Sequence, residues 1–319
     1  YVAVSIVSVI ISNICIEIIC DKRYNFLNEK IKVKKSDKQD LINGLKDVIP
    51  LKIGTYLYSS TDNVVISTFL GLKDVAIYSN YLLITNAIMQ FFYMIAEAFK
   101  VSFGNIFYEE QDKDRIIDYF NGYLLLQFLL SSFSVVSLWC LITPFVVMFF
   151  GKEYEMASSI VAVLLFDMFV HSMYQPLSMM FGALGKFKED KNITLGIDVV
   201  NIIVSVILVR KIGLLGPIVG TLISNILTWY FRCYQIVYKA FAMDVKKFVG
   251  KIVCYFLLVV LEVIISFYLC RTFFDTNTIY NFAGRILICL IVPNTVNCLC
   301  WYKTKEFQML FSKFKGMLP

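Results

Sequence analysis

Long apolar runs, each roughly 18–28 residues, alternate with short charged blocks from one end of the chain to the other. A helix rising 1.5 Å per residue needs about 20 apolar residues to cross a hydrocarbon core. The pattern therefore predicts nine membrane-spanning helices, at 1–20, 47–70, 75–99, 119–150, 156–182, 192–210, 213–238, 249–270 and 279–302. A transmembrane barrel would instead show short segments of strict alternation, which this chain lacks. The predicted fold class is all-α and polytopic.

Polar residues interrupt these runs at helical spacing. Lys52, Tyr56, Ser59 and Asn63 recur on one face of the second span, with Asp62 at its edge. Asn86, Gln90, Tyr93 and Glu97 repeat the spacing in the third, and Asp167, His171, Tyr174 and Ser178 in the fifth, where Pro176 predicts a kink. Asp198, Asn201 and Ser205 continue the pattern in the sixth, and Thr221, Ser224 or Asn225, and Thr228 in the seventh. A charge at mid-bilayer costs about 2.5–3.5 kcal/mol on insertion scales. Two readings compete: the faces line a hydrated central cavity, or they hydrogen-bond helix to helix at roughly 0.6 kcal/mol a contact. The second suits the hydroxyls and amides of the seventh span. Charge cost favours the first for Lys52, Asp62 and the Asp167/His171 pair, unless they pair with one another. A lone histidine is more often structural than titrating, but its place one turn after Asp167 makes His171 a candidate for proton coupling. The last two spans carry Glu262 and Arg285 without such a stripe and read as peripheral.

Composition agrees with this solvent assignment: 58% of the 319 residues are hydrophobic and 17% charged, with a mean hydropathy of +0.70, where soluble domains stay near half apolar. The segments predicted on one side carry 23 basic residues and those on the other five. The positive-inside rule makes the richer side, and with it the C-terminus, cytoplasmic. The segment 21–46 is the longest connector. Its lysines at 30, 32, 34, 35 and 38, a capping-box pattern at Ser36 and Gln39, and Leu41, Ile42, Leu45 and Val48 at helical spacing predict a basic amphipathic helix on an anionic leaflet. An ordinary solvated loop is the alternative. The chain starts at Tyr1 inside an apolar run, which reads as the C-terminal part of a longer protein.

The nine cysteines fall almost entirely in predicted spans, without metal-type spacing, and read as small apolar fillers. The sequence has no Walker motif, nucleotide-binding glycine loop or metal cluster, so no cofactor, metal or nucleic-acid partner is expected. The segment Gly213–Pro217, with glycines at both 213 and 216, lacks the strand that a phosphate loop needs and reads as a turn before close helix packing.

The segment Ser60–Tyr81, STDNVVISTFLGLKDVAIYSNY, resembles the stretch that opens the C-terminal lobe of Wzx-type bacterial polysaccharide flippases. These belong to the superfamily that also contains multidrug extruders and lipid II flippases. Two further pieces are similar to that family, Gly213–Ser224 (GLLGPIVGTLIS) and Gly151-Lys-Glu-Tyr154. The likeness extends over about 36–240, with Ala76 where the family often has glycine. It implies two six-helix lobes around a central cavity. Residues 1–20 would then be the last helix of a truncated N-terminal lobe, 21–46 the cytoplasmic connector, 47–240 the C-terminal lobe, and 241–319 two peripheral helices and a cytoplasmic tail. It further implies a bacterial cytoplasmic-membrane protein that translocates an undecaprenyl-diphosphate-linked oligosaccharide by alternating access, without being an enzyme.

Under that resemblance the expected substrate-binding residues are Lys52, Tyr56, Ser59, Asp62, Asn63, Gln90, Tyr93, Tyr174 and Arg232. Lys52, with Arg232 or His171, would meet the diphosphate, and the tyrosines would face sugar rings or simply pack. Asp62, Asp167, His171 and Asp198 are the expected ion- or proton-coupling groups. A drug/cation antiporter of the same fold is the main alternative, and Asp62, Asp167 and Asp198 keep it open. A membrane polymerase would need a large external loop or catalytic constellation, and neither is visible. A third alternative is a structural partner that does not transport, because half a cavity cannot alternate access.

Overall fold

A computed structural model describes residues 2–24, 34–109, 113–275 and 278–317, with the side chains of 47, 48 and 50–59 among those not described. The chain divides into two units, Tyr1–Lys46 and Asp47–Pro319. In the first, α1 (Val2–Arg23) exposes valines and isoleucines on every side, as a helix surrounded by lipid or other helices does. Helix α2 (Lys35–Phe69) begins one residue before the predicted capping box, and its Leu41, Ile42 and Leu45 are exposed.

The second unit continues α2 and adds α3 (Leu72–Glu109), α4 (Lys113–Phe149), α5 (Ser158–Ala183), α6 (Phe187–Ile212), α7 (Leu215–Cys233), α8 (Val245–Phe273), α9 (Ile279–Trp301) and α10 (Lys305–Met317). All nine predicted spans coincide with helices, and the described residues contain no strand. The protein is an all-α, multi-pass membrane protein. Among the described residues six helices, α3, α4, α5, α6, α8 and α9, are long and apolar enough to cross a bilayer on their own composition. Helix α7 is not among them, because Thr221, Asn225, Thr228 and Arg232 share one face and lower its average hydropathy.

Helices α4 and α5 form the centre, with more than half of their most apolar stretches buried. Helix α3 packs on both, α7 lies between α5 and α6, and α8 and α9 cover α4. The core is aromatic: Phe128 stacks on Tyr255 at 4.0 Å and Phe99 on Tyr123 at 4.6 Å. At the α2–α3 turn Gly71 has φ +109°, which a side chain would strain.

The α6–α7 hairpin explains the glycines at 213–220. A Cβ at Gly216 would stand 2.7 Å from Val209 Cα, and one at Gly220 3.1 Å from Ser205 N. Gly216, Gly220 and Ser224 thus form the small-residue stripe by which membrane helices approach closely. Gly216→Ala is expected to destabilise the protein by about 1–3 kcal/mol, because backbone rather than a flexible side chain blocks the methyl group. Thermal unfolding of the purified protein measures this, and an unchanged transition would contradict it.

Where the sequence predicted two peripheral helices and a tail, α8 and α9 are joined to α4 by a second polar cluster. Glu262, fully buried, accepts a short hydrogen bond from Ser132, and Asn297 donates to the same hydroxyl at 2.9 Å. The stripe reading missed this cluster because its members lie on three separate helices. The tail is the amphipathic helix α10, which Thr304 caps at Phe307 N–H. Phe307 and Leu310 pack on the core, while Lys305–Asp118 (2.6 Å) and Lys251–Glu306 (3.1 Å) pin the helix to α4 and α8. Burial opposes the Glu306 charge, but its own backbone N–H and Lys251 hold the carboxyl below the usual range.

Candidate functional site: a polar seam along α7

The polar face of α7 repeats at i, i+4, i+7 and i+11, an axial rise of about 16 Å, and organises the site. At one end Thr221 donates to the Asp62 carboxylate (3.1 Å to Oδ2), which also accepts from Tyr78 Oη at 2.9 Å. Asn201 of α6 donates to Thr221 Oγ1 at 3.2 Å. The Oδ1 atoms of Asn201 and Asn63 and the Oδ2 of Asp198 are buried without a partner. One turn on, Asn225 donates to Asp167 of α5 at 2.7 Å. Both carboxylates are buried, so each is taken out of water by neighbours that are neutral donors.

At the other end Arg232 is held on every side. Its Nε and Nη2 donate to Asp190 Oδ1 at 3.0 and 2.7 Å, and Nη1 donates to Ser178 Oγ. Its guanidinium lies 5.1 Å above the Tyr174 ring. Tyr174 stacks on His171 at 4.7 Å, and His171 Nε2 shares a 2.7 Å hydrogen bond with Tyr93 Oη. From Asp62 to Asp190 the polar groups thus run beside one another along the α5–α6–α7 interface.

This seam borders a cavity of about 330 Å³, lined in part by Tyr93, Tyr174, Gln175, Asp198, Asn225 and Thr228. Its charged lining comprises Glu97, Asp190 and Asp198 against Lys100 and Arg232. Because Arg232 is buried and paired with Asp190, Lys100 is the more accessible cation there; it meets Glu97 at 3.2 Å.

The structure brings Tyr93, Tyr174, Asp198 and Arg232 to this cavity and places Asp167 and His171 on the seam behind it. Asp62 and Asn63 lie toward the opposite end of α7, and Gln90 is exposed on α3 and does not line the cavity. The expected contacts of Lys52, Tyr56 and Ser59 fall on side chains outside the described residues, although their backbone is helical. Periodicity does not single out Tyr78, Lys100 or Asp190 as site residues, and it gives Thr221 and Asn225 only as helix-to-helix contacts. Asp190 sits among Lys186, Lys188 and Lys191, outside every polar stripe, so no helical spacing marks it in the sequence.

No family model and no curated protein matches the chain. Its fold is similar to that of a solved structure, lipid II flippase MurJ in an inward closed conformation, with a TM-score of 0.58 and 18% sequence identity over 78% of this chain and 52% of that one. The chain therefore spans about half the length of the flippase whose fold it shares.

Proposed function

We propose that this chain forms one lobe of a transporter, not an enzyme, that carries a lipid-diphosphate-linked oligosaccharide across the bacterial cytoplasmic membrane by alternating access during surface-polysaccharide synthesis. The observation that carries this reading is a cavity walled by α3, α5, α6 and α7 and backed by the buried carboxylate of Asp167, in a chain with a flippase-like fold. Buried ionisable groups on spanning helices are expensive, and substrate or ion pathways are where they are retained. Tyr93 and Tyr174 line the cavity, where aromatic side chains suit sugar rings, and Asp62, Asp167 and Asp198 are the groups a coupling ion or proton would neutralise. In this reading 47–240 is the C-terminal lobe of a pair, 22–46 rests on anionic lipid, and the C-terminus is cytoplasmic.

The charge balance of the cavity keeps a second reading. Its lining holds three carboxylates against two cations, one of them spent on Asp190, which suits a cation-coupled drug antiporter. A diphosphate needs a free cation, and Lys52, about three turns before Asn63 on α2, is the candidate. Lys52→Ala in the full-length protein is expected to abolish surface polysaccharide at normal membrane levels. Unchanged polysaccharide, with drug efflux retained, would favour the antiporter.

A further inference from the structure

Cys140 of α4, Cys270 of α8 and Cys289 of α9 are far apart in sequence, yet their sulfurs all lie within 4.8 Å of one another. All three are buried, and with Trp139, Leu141 and Ile288 they make a small core separate from the main one. We propose that these three thiols form a binding site for a soft monovalent metal ion of the Cu(I) type.

Three sulfurs each about 2.3 Å from one metal would stand about 4 Å apart in a trigonal plane, so the observed grouping needs only a small contraction. Thiolates select soft ions such as Cu(I). Zinc favours four ligands, and the adjoining cavity of about 260 Å³ supplies no histidine or carboxylate as a fourth. That cavity reaches Cys140, and Thr143, Ser158 and Arg285 give it polar groups beside the thiol, along which an ion would enter and released thiol protons would leave. Arg285, anchored on the Phe274 carbonyl at 2.8 and 3.0 Å, brings a fixed positive charge to the cavity wall and offsets part of the thiolate charge.

The local sequence points the same way. Cys-Leu-Ile-x-Pro occurs twice, at 140–144 and 289–293. In both helices the proline has no N–H for the carbonyl of the cysteine four residues earlier, so the helix can bend at the thiol. Thiols acting as mere fillers, as Cys233 does alone in the main core, would not need matching positions on two contacting helices.

The test is a Cu(I) titration of the purified chain under reducing conditions against a competing chelator, followed by X-ray absorption. The expected result is one Cu(I) per chain bound by three sulfurs. Each of Cys140→Ser, Cys270→Ser and Cys289→Ser should weaken binding at least ~10-fold, whereas Cys298→Ser with Cys300→Ser should leave it unchanged. A footprint on the unsubstituted chain removes the dependence on variant folding: one equivalent of Cu(I) should protect Cys140, Cys270 and Cys289 from alkylation, and leave Cys298 and Cys300 reactive. Two-sulfur coordination, equal binding by the triple serine variant, or protection of other cysteines would overturn the proposal.

Discussion

Arg232→Ala is expected to destabilise the protein by about 3–5 kcal/mol, because it leaves Asp190 as an uncompensated charge in a largely buried setting. Both side chains are at least 86% buried, so solvent does little to screen the loss. The arginine also holds Ser178 and sits over Tyr174, which ties α7 to both α5 and α6. Arg232→Lys should rescue only part of this, since an ammonium restores a charge beside Asp190 but cannot also span Ser178 with a fork of donors. Adding Asp190→Asn to Arg232→Ala should restore part of the stability by removing the stranded charge. Melting temperature in detergent reads this directly, with an expected drop of roughly 6 °C or more. Arg232→Ala with an unchanged melting temperature and lost transport would instead make Arg232 a substrate contact, the role its sequence position first suggested.

Asp62→Asn should separate coupling from folding. The amide keeps the size of the carboxylate and an oxygen that can accept from Tyr78 or Thr221, so membrane levels and melting temperature should stay near wild type. What it removes is the charge. Asp62 of α2, Thr221 of α7 and Asn201 of α6 meet in one hydrogen-bonded chain, Asn201 Nδ2 donating to Thr221 Oγ1 and Thr221 to the Asp62 carboxylate. A cation or proton that neutralises Asp62 in one conformation and leaves it in the other would couple a gradient to the lobe's movement. Transport by the full-length protein is therefore expected to fall about 100-fold, a barrier change of about 2.7 kcal/mol, and the remainder should no longer respond to the gradient. Wild-type transport with an intact gradient response would reduce Asp62 to a packing group.

These two residues also mark how far a linear reading reaches. Periodicity located the helices well, since apolar runs of spanning length have few other uses, and it found Asp62 and Asp167 as charges in unusual surroundings. It gave no helix for the tail, where α10 forms, and it named Arg232 without its partner Asp190. Pairing is the difference. A helical stripe states which residues share a face but is silent on which neighbouring helix that face meets.

Local hydropathy along each segment is enough to set the solvent, the all-α class and the positions of the helices. Partnership was decided by tertiary structure alone: Arg232 with Asp190, Asn225 with Asp167, Glu262 with Ser132, and three thiols gathered from α4, α8 and α9. Each of these joins residues on different helices. The energy of a buried charge or thiol depends on what stands a few ångströms away across the helix interface, which no periodicity within one helix records.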